Sequence, residues 1–432
     1  MFKKLIRPTA KIVIYIREGC MLLMKLTGNC VIAQSGGPTA VINASLCGVI
    51  QKAMQTEEIT AIYGSLNGIL GIINNNLIDL SKEDPFEIEL LKTTPSSILG
   101  SCRYKLKPPG ESEDYQKILN TFKTHNIRYF FYIGGNDSMD TADKLNKFIN
   151  DSGHDIRIIG IPKTIDNDLV GTDHCPGFGS AAKYISTTVS EIYRDTVVYP
   201  TSQITIVEIM GRNAGWLTAS SALANLSGQG PDLIYLPEAP FSLDKFHNDV
   251  ASIHKEKGKV LICASEGIRD SNGSYIAQLE TAQSHDAFGH AQLGGVGNVL
   301  KALISDIDKR IKVIELGIMQ RSAAHIASAT DIDEALKAGE HALASAIEGK
   351  SGFMVSLVRK YENSYQCSYG LTPLSSVANH EHKIPINWIN EKANGVTKEI
   401  VEYIKPLIKG KNEIFEDDNG LIRFAKLNKF LI

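Results

Sequence analysis

The sequence predicts an α/β fold of mainly parallel sheets covered by helices, and three observations carry that expectation. Short apolar runs recur along the chain and alternate with stretches of helical periodicity, the pattern of βαβ units. Glycine pairs and charged residues cluster just after those runs rather than inside them. At 432 residues, 43% of them hydrophobic, the chain is long enough to bury a large core and to divide into about two or three domains.

The basic stretch up to about Leu26 is expected to be an N-terminal extension, residues 1–26, with Met24 as an alternative start. Its apolar run at 12–16 is too short for a signal-peptide core and ends at the charged pair Arg17 and Glu18. The folded pattern begins near Asn29. The run 30–33 reads as a strand; Gln34-Ser35-Gly36-Gly37-Pro38-Thr39 comes next, then a helix with Val41, Ile42, Leu46, Val49 and Ile50 on one side. The run 129–133 is a second strand, leading into Gly134-Gly135-Asn136-Asp137-Ser138 and a helix that presents Leu145, Phe148 and Ile149. Runs at 156–161, 204–209, 233–236, 260–264 and 313–316 continue the series. Lys107-Pro108-Pro109-Gly110-Glu111 reads as a surface loop, and Asp417-Asp418-Asn419-Gly420 as a hairpin turn. Gly177-Phe178-Gly179-Ser180-Ala181-Ala182 fits a loose dinucleotide pattern but comes after a polar loop instead of an apolar strand. It is expected to open a helix packed closely on its neighbours.

Bulk properties exclude several classes. A net charge of −3 without a long basic block leaves no electrostatic footprint for nucleic acid. The seven cysteines are scattered singly, with no CxxC pair, which fits reduced thiols and a cytoplasmic location better than a disulfide framework or a zinc site. No segment approaches the run of about 18 apolar residues that a membrane span needs. His174, His285, His290 and His325 form no HxxH or HExxH ligand pair and are expected to be structural.

The chemistry concentrates in Pro162-Lys163-Thr164-Ile165-Asp166-Asn167-Asp168, directly after the run 156–161. In open α/β sheets ligands bind outside the carboxyl ends of strands. There a lysine can neutralise a transferring phosphoryl group, one aspartate can accept a hydroxyl proton and the other can hold a metal. The alternative is a turn of Asx residues bonded to their own backbone. Each Gly-Gly pair at a strand-to-helix turn lets backbone N–H groups approach a phosphate at a helix N-terminus; neither is a Walker loop, since no GxxxxGK[ST] is present. Asp137 beside such a cradle repels a phosphate unless metal or lysine offsets it. It therefore either approaches a bound Mg²⁺ or takes up the space and charge where a longer polyphosphate would lie. Arg103 and Arg212 suit bidentate recognition of phosphate, or else are surface and ion-pairing arginines. Glu266 is placed to bind sugar hydroxyls or to serve a structural role.

Taken together, Ser35-Gly36-Gly37-Pro38-Thr39, Gly100-Ser101-x-Arg103, Gly134-Gly135-Asn136-Asp137-Ser138, the 162–168 loop, Met210-Gly211-Arg212 and Gln320-Arg321 resemble the phosphofructokinase family, most closely its pyrophosphate-dependent branch, over about residues 29–330. The resemblance implies two Rossmann-like lobes, with helices on both faces of each sheet and the active site in the cleft between them. A phosphoryl-donor lobe at 27–180, completed by about 320–395, would face a sugar-phosphate lobe at 181–319, with 396–432 as a C-terminal extension. It implies reversible, Mg²⁺-dependent transfer from pyrophosphate to the C1 hydroxyl of fructose 6-phosphate. Asp166 would be the base, Lys163, Asp137 and Arg212 would share the catalytic work, and Asn136 and Asp168 would hold the metal. Gly37, Arg103, Asp137 and Lys163 would meet the donor. Thr164, Ile165, Asp166, Met210, Gly211, Arg212, Glu266, Lys312 and Arg321 would meet the sugar phosphate. Relatives complete that pocket across a subunit boundary, which implies a homodimer or homotetramer. Three departures stand out: Asn136 where many relatives carry aspartate, Gln203 near the place of a neighbouring subunit's phosphate-binding arginine, and Ile318 in place of a histidine or tyrosine. The rivals are an ATP-dependent phosphofructokinase, a non-catalytic regulatory subunit of the same fold and, more remotely, a nicotinamide-dependent oxidoreductase.

Overall fold

The computed structural model describes residues 26–279, 295–360 and 364–432. Residues 1–25 of the expected extension, Met24 among them, lie outside the described residues, as do His285 and His290.

The apolar runs become strands of two sheets. In chain order the strands are β1 (Gly28–Gln34), β2 (Ile59–Ser65), β3 (Leu77–Asp79), β4 (Ile127–Gly134), β5 (Arg157–Pro162), β6 (Gln203–Ile209), β7 (Leu233–Tyr235), β8 (Lys259–Ser265), β9 (Ile311–Glu315), β10 (Phe353–Lys360) and β11 (Gln366–Pro373). The larger sheet has the order β11-β10-β5-β4-β1-β2-β3 and the smaller β7-β8-β6-β9. Every pairing in the smaller sheet is parallel. In the larger one only the edge pairs β2–β3 and β10–β11 are antiparallel. The expected α/β class with mainly parallel sheets is what the chain adopts.

Each sheet is covered on both faces, as buried parallel strands require. Along β4, Tyr129, Phe131 and Ile133 enter one apolar cluster, while Phe130 and Tyr132 enter the cluster on the opposite face. Along β6, Ile204 and Ile206 face one side and Val207 and Ile209 the other. The helix Phe178–Val197 packs as closely as its small-residue start implies: a Cβ on Gly179 would lie 2.6 Å from the Leu407 carbonyl oxygen. The turn at 417–420 also forms, bridged by Glu416 and Ile422.

The strand order positions the site. From β1 the larger sheet grows towards β2 and β3 on one side and towards β4, β5 and β10 on the other. The order reverses between β1 and β4, the place where the carboxyl ends of parallel strands leave an open crevice. Gln34 pairs with Ile133 and Gly134 with Pro162, so the three chemistry-bearing turns emerge side by side.

Candidate active site

A cleft of about 1020 Å³ opens at those strand ends, with turns from the larger sheet on one wall and turns from the smaller sheet on the other. The first wall begins with Ser35-Gly36-Gly37. Gly36 has φ +74°, and a Cβ there would lie 3.3 Å from Lys163 Nζ, so both conformation and space demand glycine. Lys163 is buried, and its ammonium donates to the carbonyl oxygens of Ser35 at 2.8 Å and Gly37 at 2.6 Å. Two of its three N–H groups are thereby fixed, and the residue still lines the cleft. Burial holds its pKa down at about 8, against the pull of Asp166.

The loop after Lys163 turns sharply. Thr164 Oγ1 accepts from the Asp166 N–H at 3.1 Å, and Asn167 takes a left-handed φ of 54°. Asn167 is buried and pinned: its amide donates to the Tyr403 hydroxyl at 2.9 Å and its Oδ1 accepts from the Cys175 N–H at 2.9 Å. Asp166 and Asp168, on either side of that pinned residue, both line the cleft together with Thr164 and Ile165. Burial and the Glu266 carboxylate push Asp166 up to about 6, opposed by Arg212, Lys163 and Arg321. Burial and Asp166 push Asp168 up to about 7.

The second wall brings Met210, Arg212 and Glu266 to the same space. Gly211 stands behind, donating its N–H to Glu266 Oε1 at 3.4 Å. Burial raises Glu266 to about 7. Gln320 is buried and ties the end of β6 to the turn beyond β9, its Oε1 accepting from the Met210 N–H at 3.3 Å and its amide donating to the Gly317 carbonyl at 2.9 Å. Arg321, the next residue, then projects across the cleft, so close that a Cβ on Gly37 would lie 3.4 Å from its Nη1. Burial and the nearby Arg103 hold the Arg321 pKa below its usual value. Cations thus converge from both walls on the glycine turn.

Lys312 is not brought into this cleft. It lies on β9, is exposed, and pairs with Asp195 at 2.9 Å. Gln203 is buried at the start of β6 and donates to Thr205 Oγ1 at 3.1 Å. Ile318, in the turn beyond β9, is 64% exposed. No charge therefore comes from these three positions within the chain's own pocket.

Asp137 and Asn136 occupy the first turn of the helix Asn136–Ser152 and line the cleft with Arg103. The Asn136 amide is already engaged: Oδ1 accepts from the Asn379 N–H at 2.7 Å, and Nδ2 donates to the His380 carbonyl at 2.5 Å. These two backbone contacts orient the Asn136 side chain where it lines the cleft. The residues that sequence reasoning missed include Asn379, His380, Glu381 and Lys383 from the segment after β11, together with Lys105 and Asn213. A polar run without period or motif carries no signal, and these residues reach the cleft only through the fold.

Among the described residues no cluster of three or more His, Cys, Asp or Glu side chains forms a ready metal cage. The donor set still fits a Mg²⁺ ion, which keeps most of its waters and takes one or two carboxylates. Asp168 Oδ1 is buried without a hydrogen-bond partner, a costly state for a carboxylate oxygen that a cation would relieve. The cleft thus offers a carboxylate poised near neutrality, a second carboxylate suited to a cation, and a buried ammonium flanked by guanidinium groups. That is equipment for moving a proton off a hydroxyl while a phosphoryl group changes hands.

Comparisons with known proteins agree. Residues 29–346 match the family described as Phosphofructokinase. A pyrophosphate–fructose 6-phosphate 1-phosphotransferase of Xanthomonas campestris pv. campestris is 40% identical over 413 residues, covering 94% of this chain and 97% of that protein. The crystal structure of a pyrophosphate-dependent phosphofructokinase from Marinobacter aquaeolei superposes with TM-score 0.83 at 38% identity, over 94% of this chain and 97% of that one. Another, from Nitrosospira multiformis, gives TM-score 0.85 at 36% identity, over 94% and 98%.

Proposed function

The chain belongs to the phosphofructokinase family, and we propose how its cleft divides the work of the reaction it carries out. That reaction is phosphoryl transfer from pyrophosphate to the C1 hydroxyl of D-fructose 6-phosphate, giving fructose 1,6-bisphosphate and phosphate. In such transfers the protein contributes positioning and charge stabilisation more than covalent chemistry.

Asp166 takes the C1 hydroxyl proton as the C1 oxygen bonds to phosphorus and the bridging P–O bond breaks. A pKa of about 6 leaves this carboxylate ionised at neutral pH yet basic enough to work. Lys163 and Arg103 hold the donor over Gly37, and Arg212 meets charge on the oxygens of the phosphoryl in flight. Asp137, in the first turn of its helix, takes up the room and charge that a nucleotide's extra phosphate would require. Thr164, Ile165, Met210, Glu266 and Arg321 receive the sugar phosphate, and Gly211 orients Glu266 from behind. Asp168 would hold Mg²⁺, which supplies charge neutralisation for the phosphate oxygens when bound. The larger sheet serves as the donor lobe and the smaller one as the sugar lobe. Lys312, exposed and away from its own cleft, serves the pocket of a second copy in a homodimer or homotetramer. A cytoplasmic setting supplies both substrates and the reducing conditions that suit free thiols. No helix among the described residues is long and apolar enough to cross a membrane.

The observation that carries this assignment is the buried Lys163, fixed between the glycine turn and Asp166. The test compares initial rates with pyrophosphate and with ATP at equal Mg²⁺, with fructose 6-phosphate as acceptor. Turnover with pyrophosphate and not ATP is expected, and exchanging Asp137 and Lys163 for glycine together shifts preference towards ATP. Equal or better use of ATP by the wild-type chain would overturn the donor assignment. Binding of sugar phosphate without turnover on either donor would mark a regulatory subunit.

A further inference from the structure

After β11 the chain crosses the cleft as the run Asn379-His380-Glu381-His382-Lys383-Ile384, four residues of which line it. Successive parts of that crossing are tied to different walls. At the first wall the Asn379 N–H donates to Asn136 Oδ1 at 2.7 Å, the Asn379 amide donates to Asp140 Oδ1 at 3.2 Å, and the His380 carbonyl accepts from Asn136 Nδ2. In the middle the His382 N–H donates to the Asp168 carbonyl at 2.7 Å. At the second wall Glu381 Oε1 accepts from Asn213 Nδ2 at 2.7 Å, the His382 carbonyl accepts from Trp216 Nε1 at 3.0 Å, and the Ile384 N–H donates to Glu238 Oε1 at 3.2 Å. Asn379 adopts φ 64°, a conformation that asparagine tolerates better than most residues.

We propose that residues 379–384 form a strap that sets the spacing of the two cleft walls, and that Asn136 is the positioning residue that clamps it to the first wall. The clamp requires one acceptor and one donor on the same side chain, which an amide supplies and a carboxylate does not. An aspartate has the same shape but no donor, and would set a second oxygen against the His380 carbonyl. The same logic holds at the opposite end. Asn213 Oδ1 accepts from Arg269 Nη2 at 2.6 Å while its Nδ2 serves Glu381, so an aspartate at 213 would keep the arginine and repel the strap.

The kinetic side of this inference rests on the donor and sugar assignments above, whereas the order of the strap can be read without turnover. Asn136→Asp is compared with wild type by hydrogen exchange of the peptide covering 379–384, by KM for each substrate and by the apparent Mg²⁺ requirement. Exchange in the strap is expected to quicken by about tenfold or more and KM for pyrophosphate to rise by a similar factor, as loss of a hydrogen-bonded pair implies. The Mg²⁺ requirement is expected to stay where it was. Asn213→Asp is expected to raise KM for fructose 6-phosphate while that for pyrophosphate holds, and it carries the test if Asn136→Asp fails to fold. Unchanged exchange in both variants would overturn the strap. A shifted Mg²⁺ requirement with an undisturbed strap would assign Asn136 to the metal and overturn its role as a clamp. Failure of wild-type turnover with pyrophosphate would overturn the donor assignment alone and leave the exchange result standing.

Discussion

Burial draws Lys163 and Asp166 towards the neutral range against the pull each exerts on the other, and two outcomes are expected at the level of single residues. Replacing Lys163 by alanine removes one donor that acts on the transferring phosphoryl group, a change worth about 10²–10³ in kcat. It also leaves the Ser35 and Gly37 carbonyls without their partner, at a cost of about 1–3 kcal/mol if they stay dry. Steady-state kinetics and a denaturant titration measure the two effects separately. The second outcome is the pH profile of kcat/KM. Below about 6, where burial and Glu266 have raised it, Asp166 is protonated and cannot take the hydroxyl proton. Asp168, raised to about 7, adds proton competition against a cation on the same side. Above about 8 Lys163 loses the charge that meets the donor. The profile is therefore expected to be a bell with limbs near those values, and a rate still rising above a pH of about 9 would contradict the role given to Lys163.

Among the elements, the glycine turn after β1 depends on backbone geometry. Gly36→Ala would place a Cβ in the left-handed region, where φ is +74°, and press it on the lysine ammonium. The expected cost is about 1–3 kcal/mol, seen as a lower unfolding midpoint, together with a raised KM for pyrophosphate as Lys163 shifts. This turn is legible in the sequence because glycine pairs after apolar runs have a physical reason to be there. The central strands are legible as well: every residue from Cys30 to Gln34 is buried, as is nearly every residue of β4, and burial on both faces leaves an unbroken apolar run. β2, β3, β10 and β11 give no comparable run. β3 has only three residues, while β2 and β11 are half-buried near or at the edges of the sheet. Such strands mix polar and apolar residues and blend into the loops around them. The strap is hidden for a related reason, since its bonds join residues 146 to 244 positions apart.

At the scale of the whole molecule, the two sheets bring separate turns to one cleft, and that convergence comes from strand order rather than from any local motif. The motif residues Gly37, Asp166, Arg212 and Arg321 can be found one by one, but their meeting cannot be read from spacing. Lys312 shows the converse. The resemblance implies a sugar-phosphate contact there, yet its own chain turns it outward to Asp195. Sedimentation is expected to give a particle of two or four 47.2 kDa chains. Lys312→Glu is expected to raise KM for fructose 6-phosphate without changing that for pyrophosphate, and a fully active monomer would refute the shared pocket. The central claim, that Asp166 removes the proton, is tested most directly by the turnover of purified Asp166→Asn enzyme at saturating pyrophosphate, fructose 6-phosphate and Mg²⁺. A loss of about 10²–10⁴ in kcat with an unchanged melting temperature is the predicted result; turnover close to that of the wild type would contradict it.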